Sequence, residues 1–320
     1  MKPVGLLLAL CAAIPASAQD ATRPPLVGVL SVNTTANNQP PATALRDALA
    51  ALGDIDGKSI RLDFRLAEGD AGRFPELAEA LVRDNPSVIV AYGPPAVKAA
   101  QHATKTIPIV ASANDLVASG FIQSMARPGG NITGVSLLVP ELDAKRLEVL
   151  HEILPSARRF GLLIETATRA PAVMQPVVDT ARALGVAIQN VEVGSPADFP
   201  RAVVSFQVGG VDAVNILSSA LLFFSRRELG KLLLANKLPA ICEWREMAAS
   251  GCLASYGTTL RELFAIQAAL IDKVLKGTRP GDTPAQQPTR FELVINLKVA
   301  REIGVEIPQA ILARADEVIE

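Results

Sequence analysis

From Leu26 onward the chain alternates short apolar runs rich in β-branched residues with longer stretches whose apolar residues recur at helical spacing. That alternation constrains the fold most, because short strands joined by amphipathic crossovers pack as a parallel sheet covered by helices. Strands are expected over Leu26 to Val32, Ser59 to Leu66, Val88 to Tyr92 and Ile107 to Ala111. Helices are expected near Ala42 to Leu52, Phe74 to Arg83 and Pro95 to Ala103, and Ala44, Leu45, Ala48, Leu49 and Leu52 share one face of the first. A break follows at Arg127-Pro128-Gly129-Gly130-Asn131-Ile132-Thr133-Gly134, where one Pro and three Gly punctuate the chain.

A second block repeats the theme. Helices are expected near Glu141 to Ile153, Val173 to Leu184 and Ser225 to Ala235, with strands over Phe160 to Ile164, Ala187 to Val193, Val211 to Leu217, Ala240 to Cys242 and Cys252 to Tyr256. Ser195 with Asp198 and Ser225 with Glu228 have the spacing of capping boxes. A long helix, Leu260 to Leu275, precedes a Gly- and Pro-rich linker over Lys276 to Pro288 and a strand over Phe291 to Ile295. The 320 residues have ample material for two such α/β units.

Charge and rare residues narrow the function. Lys plus Arg number 31 and Asp plus Glu 32, so the chain has no basic field to attract nucleic acid, and no nucleic-acid partner is expected. Two His (His102 and His151, both read as ordinary helix residues) and three Cys leave little for a site built on soft metal ligands, and no metal or cofactor is expected. Lys2, the apolar run Val4 to Ile14 and the small residues Ala16-Ser17-Ala18 read as a secretory signal cleaved after Ala18, placing the mature chain outside the cytoplasm, in the periplasm. Cys11 is preceded by Leu10, which fits lipid attachment poorly. Cys242 and Cys252 have the freedom either to bridge in an oxidising compartment or to stay small buried hydrophobes.

The strong short catalytic motifs do not occur: there is no phosphate loop, no dinucleotide glycine fingerprint after the first strand, no G-x-S-x-G, no H-E-x-x-H and no C-x-x-C. What stands out is position. Tyr92, Trp244 and Tyr256 are the only Tyr and Trp in the chain, and all fall at carboxyl ends of expected strands, where open α/β sheets bind ligands. Polar residues gather at the same ends: Ser31, Asn33 and Thr34; Gly93 beside Tyr92; Ser112, Asn114 and Asp115; Glu165 and Thr166; Ser218 and Ser219; Arg245 and Glu246. Arg245 has the chemistry to pair with a ligand carboxylate, and Asp115 or Glu246 to take an ammonium; structural pairing with neighbours is the alternative for each.

The string Gln287-Pro288-Thr289-Arg290-Phe291-Glu292-Leu293-Val294-Ile295-Asn296-Leu297-Lys298 is joined by Arg314-Ala315-Asp316-Glu317-Val318-Ile319, by Tyr256-Gly257 and by the Arg127 to Gly134 break. Together they resemble the ABC-transporter substrate-binding proteins that include the tryptophan- and tyrosine-binding members. The resemblance spans nearly the whole mature chain. It implies a type I periplasmic-binding-protein fold, an α/β architecture of two Rossmann-like lobes with parallel sheets joined by three hinge crossings near Asn131 to Val135, Tyr256 to Thr258 and Thr289 to Phe291. Lobe 1 is then expected over 25–134 plus 258–288, and lobe 2 over 137–256 plus 291–320. The implied function is a monomeric, non-enzymatic receptor that encloses a small aromatic or amphipathic carboxylate or amino acid and delivers it to an ABC permease in the inner membrane. A periplasmic sensor presenting its bound form to a receptor is the alternative, and an enzyme using Asp115, Glu165 or Glu246 is a third reading. A sugar-responsive repressor of the same fold is disfavoured by the secretion signal.

Overall fold

The computed structural model describes residues 23–169 and 171–320; the expected signal segment, with Cys11 and the cleavage point after Ala18, lies outside the described residues. The first block runs β1 (Leu26–Ser31), α1 (Gln39–Ala50), β2 (Arg61–Leu66), α2 (Phe74–Arg83), β3 (Val88–Tyr92), α3 (Pro94–Ala103), β4 (Ile109–Ala113) and β5 (Ile132–Ser136). These strands form one parallel sheet in the order β2-β1-β3-β4-β5. Alternate residues feed opposite faces. Val27, Val29, Val88 and Val90 join Leu45 and Leu49 of α1, whereas Leu30, Ile89 and Ala91 join Phe74 and Leu81 of α2 and Val97 of α3.

The second block runs α4 (Val139–Ile153), β6 (Arg159–Glu165), α5 (Pro171–Leu184), β7 (Ala187–Val193), α6 (Phe199–Val208), β8 (Ala213–Ile216), α7 (Ala220–Phe224), α8 (Arg226–Ala235), β9 (Ala240–Cys242), α9 (Arg245–Ala248) and β10 (Ala254–Gly257). The chain then returns to the first sheet as α10 (Leu260–Leu275), which packs on α1, and comes back as β11 (Glu292–Asn296), α11 (Leu297–Ile303), α12 (Gln309–Leu312) and β12 (Glu317–Ile319). The second sheet has the order β12-β11-β10-β9-β8-β6-β7, parallel except where β10 meets β11. Two lobes result, and the chain crosses between them after β5, after β10 and before β11.

Several local expectations shift. The first crossing, expected near Asn131 to Val135, falls later: Ile132–Ser136 form edge strand β5, the Pro128-Gly129-Gly130 turn only introduces it, and the crossing follows at Leu137 and Leu138. β5 lies tight against β4, since a Cβ on Gly134 would sit 2.0 Å from the Ala111 carbonyl oxygen. β4 begins two residues late because Pro108, with no N–H to give the ladder, precedes it. Helix α6 occupies a stretch to which no element is assigned from the sequence; its Pro200 sits in the first turn, where no intrahelical donor is lost. Ser195 and Asp198 do form a capping box. Ser225 makes no cap bond; Ser219 instead accepts from the Leu222 N–H at 3.1 Å and starts α7. Leu52 is 45% exposed, because α1 stops at Ala50. Cys242 and Cys252 are free buried thiols, and burial together with the neighbouring sulfur holds the Cys242 thiol well above the usual thiol range.

Helix α4 carries the least expected feature of the second lobe, a fully buried guanidinium. Arg146 donates to the Tyr256 carbonyl at 2.8 Å, to Ser218 Oγ at 2.6 Å and to Asp143, itself fully buried. Asp143 Oδ1 also accepts from the Ser218 N–H at 3.2 Å, so α4, the end of β8 and β10 meet at one ion pair. Desolvation raises the Asp143 carboxyl above the ordinary carboxylate value even against the pull of Arg146. Removing one partner of a buried pair strands the other charge, which costs about 3–5 kcal/mol. Arg146→Ala should lower the unfolding free energy by that order in urea titrations, and so should Asp143→Asn, which leaves the buried Arg146 charge uncompensated.

Candidate functional site

A cleft between the lobes encloses about 1000 Å³ of space, its open mouth included. It lies at both topological switch points, where strand order reverses and the following crossovers diverge to opposite faces. The first lobe contributes Ser31 at the end of β1, Tyr92 and Gly93 after β3, and Ser112 and Asn114 at and after the end of β4. The second contributes Glu165 at the end of β6, Ser219 after β8, and Glu243 and Trp244 after β9. Gly93 has φ +83° and redirects the chain into Pro94-Pro95 at the cleft wall.

Aromatic side chains make the walls. Phe223 meets Trp244 edge to face with centroids 5.8 Å apart and Phe224 at 5.1 Å, while Tyr92 meets Phe264 of α10 at 6.3 Å. Phe64 and Phe74 complete the apolar lining. The Tyr92 hydroxyl donates to Gln267 Oε1 at 3.0 Å, and burial pushes its proton affinity far up, so it remains neutral. The lobes touch directly: Asn37 Nδ2 donates to the Phe224 carbonyl at 3.4 Å, and a Cβ at Gly93 would be 3.6 Å from that of Ala220. One continuous apolar cluster accordingly includes Phe223 and Trp244 from one lobe and Val29, Leu263 and Phe264 from the other.

Two buried carboxylates face this apolar space. Glu165, 6% exposed, accepts from the Ser219 hydroxyl; desolvation raises its proton affinity, opposed by that bond and by the Leu221 N–H. Glu243 is 5% exposed, and its buried Oε1 has no hydrogen-bond partner. Burial raises the Glu243 pKa to about 7, with the Arg146 charge pulling it down and Asp143 pushing it up. Among the described residues, no Lys, Arg or His lines the cleft.

Of the residues expected at the site from strand-end position, Ser31, Tyr92, Gly93, Ser112, Asn114, Glu165, Ser219 and Trp244 converge on the cleft. The others are engaged elsewhere. Asn33 accepts from the Thr34 N–H at 2.9 Å and donates to Asn38, holding its own loop, and Thr34 is the N-cap position of the short turn after it. Asp115 accepts from the Val117 and Ala118 N–H groups at 2.9 Å, Thr166 is exposed on the outer rim, and Ser218 belongs to the Arg146 pair. Arg245 is an exposed residue gripping Glu317 of β12 through two bonds of 2.7 Å, so it stitches β12 to α9 and is not a carboxylate receptor in the cleft. Glu246 is half-buried on α9, and Tyr256 packs near Phe291 with its carbonyl on Arg146. Strand-end reasoning passed over Glu243, the residue directly before Trp244, and the phenylalanines, whose helical spacing looks like ordinary core.

Residues 39–319 match the family described as ABC transporter substrate binding protein. A tyrosine-binding protein of Clostridioides difficile is 29% identical over 261 residues, spanning 81% of this chain and 75% of that one. Among solved structures, a conserved domain protein of Vibrio cholerae shows a TM-score of 0.85 at 26% identity, covering 92% of this chain and 100% of the other. An ABC domain from Streptococcus pneumoniae in complex with L-Trp shows 0.82 at 25% identity with the same coverage.

The buried Glu243 makes stability depend on pH. Its folded-state pKa lies above that of an unfolded Glu, so the native state holds the extra proton between about pH 4.5 and 7 and loses stability as pH rises through that window. Glu243→Gln removes the penalty. The variant should gain roughly 3 kcal/mol relative to the parent between pH 4 and pH 8 in urea unfolding; a difference independent of pH would contradict the assigned burial.

Proposed function

The chain belongs to the ABC transporter substrate-binding protein family, and we propose that its cleft closes on an aromatic amino acid outside the cytoplasm and delivers it to the permease of an ABC importer. The observation that carries this reading is the cleft lining: aromatic rings from both lobes around two buried carboxylates, a combination suited to a flat apolar side chain attached to an ammonium. The tyrosine-binding relative and the L-Trp complex of a similar fold support the same ligand class. The family is one of binding proteins rather than enzymes. In this reading the segment before Gln19 directs export, the mature protein acts as a monomer, and no bond is made or broken in the ligand.

Closure follows from where the ligand's contacts come. Trp244, Phe223 and Glu165 sit on one lobe, and Tyr92, Phe264 and Ser112 on the other. A molecule touching both sets is bound more tightly by the closed arrangement than by the open one, and that difference alone shifts the equilibrium. A permease that recognises the spacing of the two lobes can then distinguish loaded from empty receptor.

Thermal denaturation of the mature chain with L-tryptophan, L-tyrosine and L-phenylalanine tests the ligand class. Ligand at about 100 times its Kd adds about 2.7 kcal/mol, a rise of several degrees in Tm. Trp244→Ala should weaken the best ligand at least tenfold by calorimetry. A response to sugars or nucleosides with none to aromatic amino acids would sink the proposed ligand class.

A further inference from the structure

We infer that the group this cleft selects is an ammonium, and that aromatic amines carrying no carboxylate bind beside the aromatic amino acids, whereas the matching acids without an amine are rejected. The inference deepens the proposed function and rests on it. It starts from the charges around the cleft. Glu165 and Glu243 line it, both more than nine-tenths buried, and Glu243 Oε1 has no partner. Behind them Asp143 is paired with Arg146, and both charges are felt at Glu243.

The buried cations nearby are already engaged. Arg146 spends its terminal nitrogens on the Tyr256 carbonyl, Ser218 and Asp143. Arg226 stands behind Phe223, its guanidinium 4.7 Å from that ring's centroid and bonded to the Phe223 carbonyl at 3.1 Å. Arg245 is out at Glu317. A ligand arriving in the closed cleft therefore meets negative charge with no lining cation to offset it.

An ammonium is favoured here in three ways. It pairs with the Glu243 oxygen that has no hydrogen-bond partner, it favours the ionised form of Glu243 that burial disfavours, and it sits well against aromatic faces, which are negative at their centres. A carboxylate has the opposite experience. It adds like charge to a dry space, and the lining offers it only neutral donors such as Ser31, Ser112 and Asn114. An amino acid carries both groups; by this argument its amine provides the selectivity and its carboxylate is tolerated.

Three ligands sharing the indole ring separate these contributions: L-tryptophan, tryptamine and indole-3-propionate, titrated calorimetrically at pH 7.5 into the mature protein, with tyramine and 3-(4-hydroxyphenyl)propionate as the phenolic pair. Tryptamine or tyramine is expected to bind at least tenfold more tightly than its partner acid. In Glu243→Gln the affinity for the amine should fall at least tenfold while the preference over the acid shrinks. Should that variant fail to fold, the wild-type comparison decides alone. Equal or tighter binding of the acids overturns the inference, as does an amino acid that binds while both amines are silent; either outcome leaves the proposed receptor function standing. Silence from all five ligands, amino acid included, removes the aromatic reading and the inference with it.

Discussion

The second lobe is organised around a charge that no solvent reaches. Arg146 lies wholly inside the protein, and three elements of the second lobe converge on it: its own helix α4 through Asp143, the end of β8 through Ser218, and β10 through the Tyr256 carbonyl. A buried ion pair is a poor source of net stability, because desolvation offsets most of the attraction. What it does supply is position. Each of its bonds has a direction, so the ends of the strands that carry Glu243 and Ser219 are held where a purely apolar floor would leave them free to repack. Tyr256 also stands just before the chain leaves this lobe for α10, so the same guanidinium anchors one of the crossings between the lobes.

Glu243 inherits its character from that arrangement. The Arg146 charge, with hydrogen bonds from Ser218 and Trp244, keeps it from being simply an acid in oil, yet Arg146 is paired with Asp143 and Glu243 Oε1 has no hydrogen-bond partner. A group in this state resists ionising until a cation arrives. The cost of holding such a buried side chain is the kind of local inconsistency that functional sites carry and that the surrounding packing tolerates. The aromatic walls make the effect larger, since they exclude the water that would otherwise solvate the carboxylate.

How much of this could be read from the residues alone depends on the range of the forces involved. Strands such as β3, β7 and β9 and helices such as α2 and α10 fall where apolar periodicity puts them, because each is decided by local pattern and burial of one face. Edge strand β5 and helix α6 escaped: the first is short, glycine-bearing and paired with β4 and with the distant Gln286, and the second opens with Phe-Pro. At the cleft, position at a strand's carboxyl end identified Ser31, Tyr92, Asn114, Glu165 and Trp244. The same rule also proposed Arg245 and Asp115, which are taken by Glu317 and by local N–H groups; strand-end position says where a backbone goes, not which partner a side chain finds.

The sequence by itself determined the βα succession, the presence of two α/β blocks, the family likeness and the loops that would surround a ligand, since all of these follow from short-range periodicity and from motifs a few residues long. Only the tertiary structure decided which charges meet. Asp143 and Arg146 are three residues apart on a helix and read as a commonplace surface pair; that they are buried depends on β8 and β10 closing over them. Likewise, that Arg245 is bound at the surface is settled by Glu317, 72 positions away along the chain. Electrostatic outcomes turn on burial and on contacts between distant segments, and neither quantity is carried by local pattern.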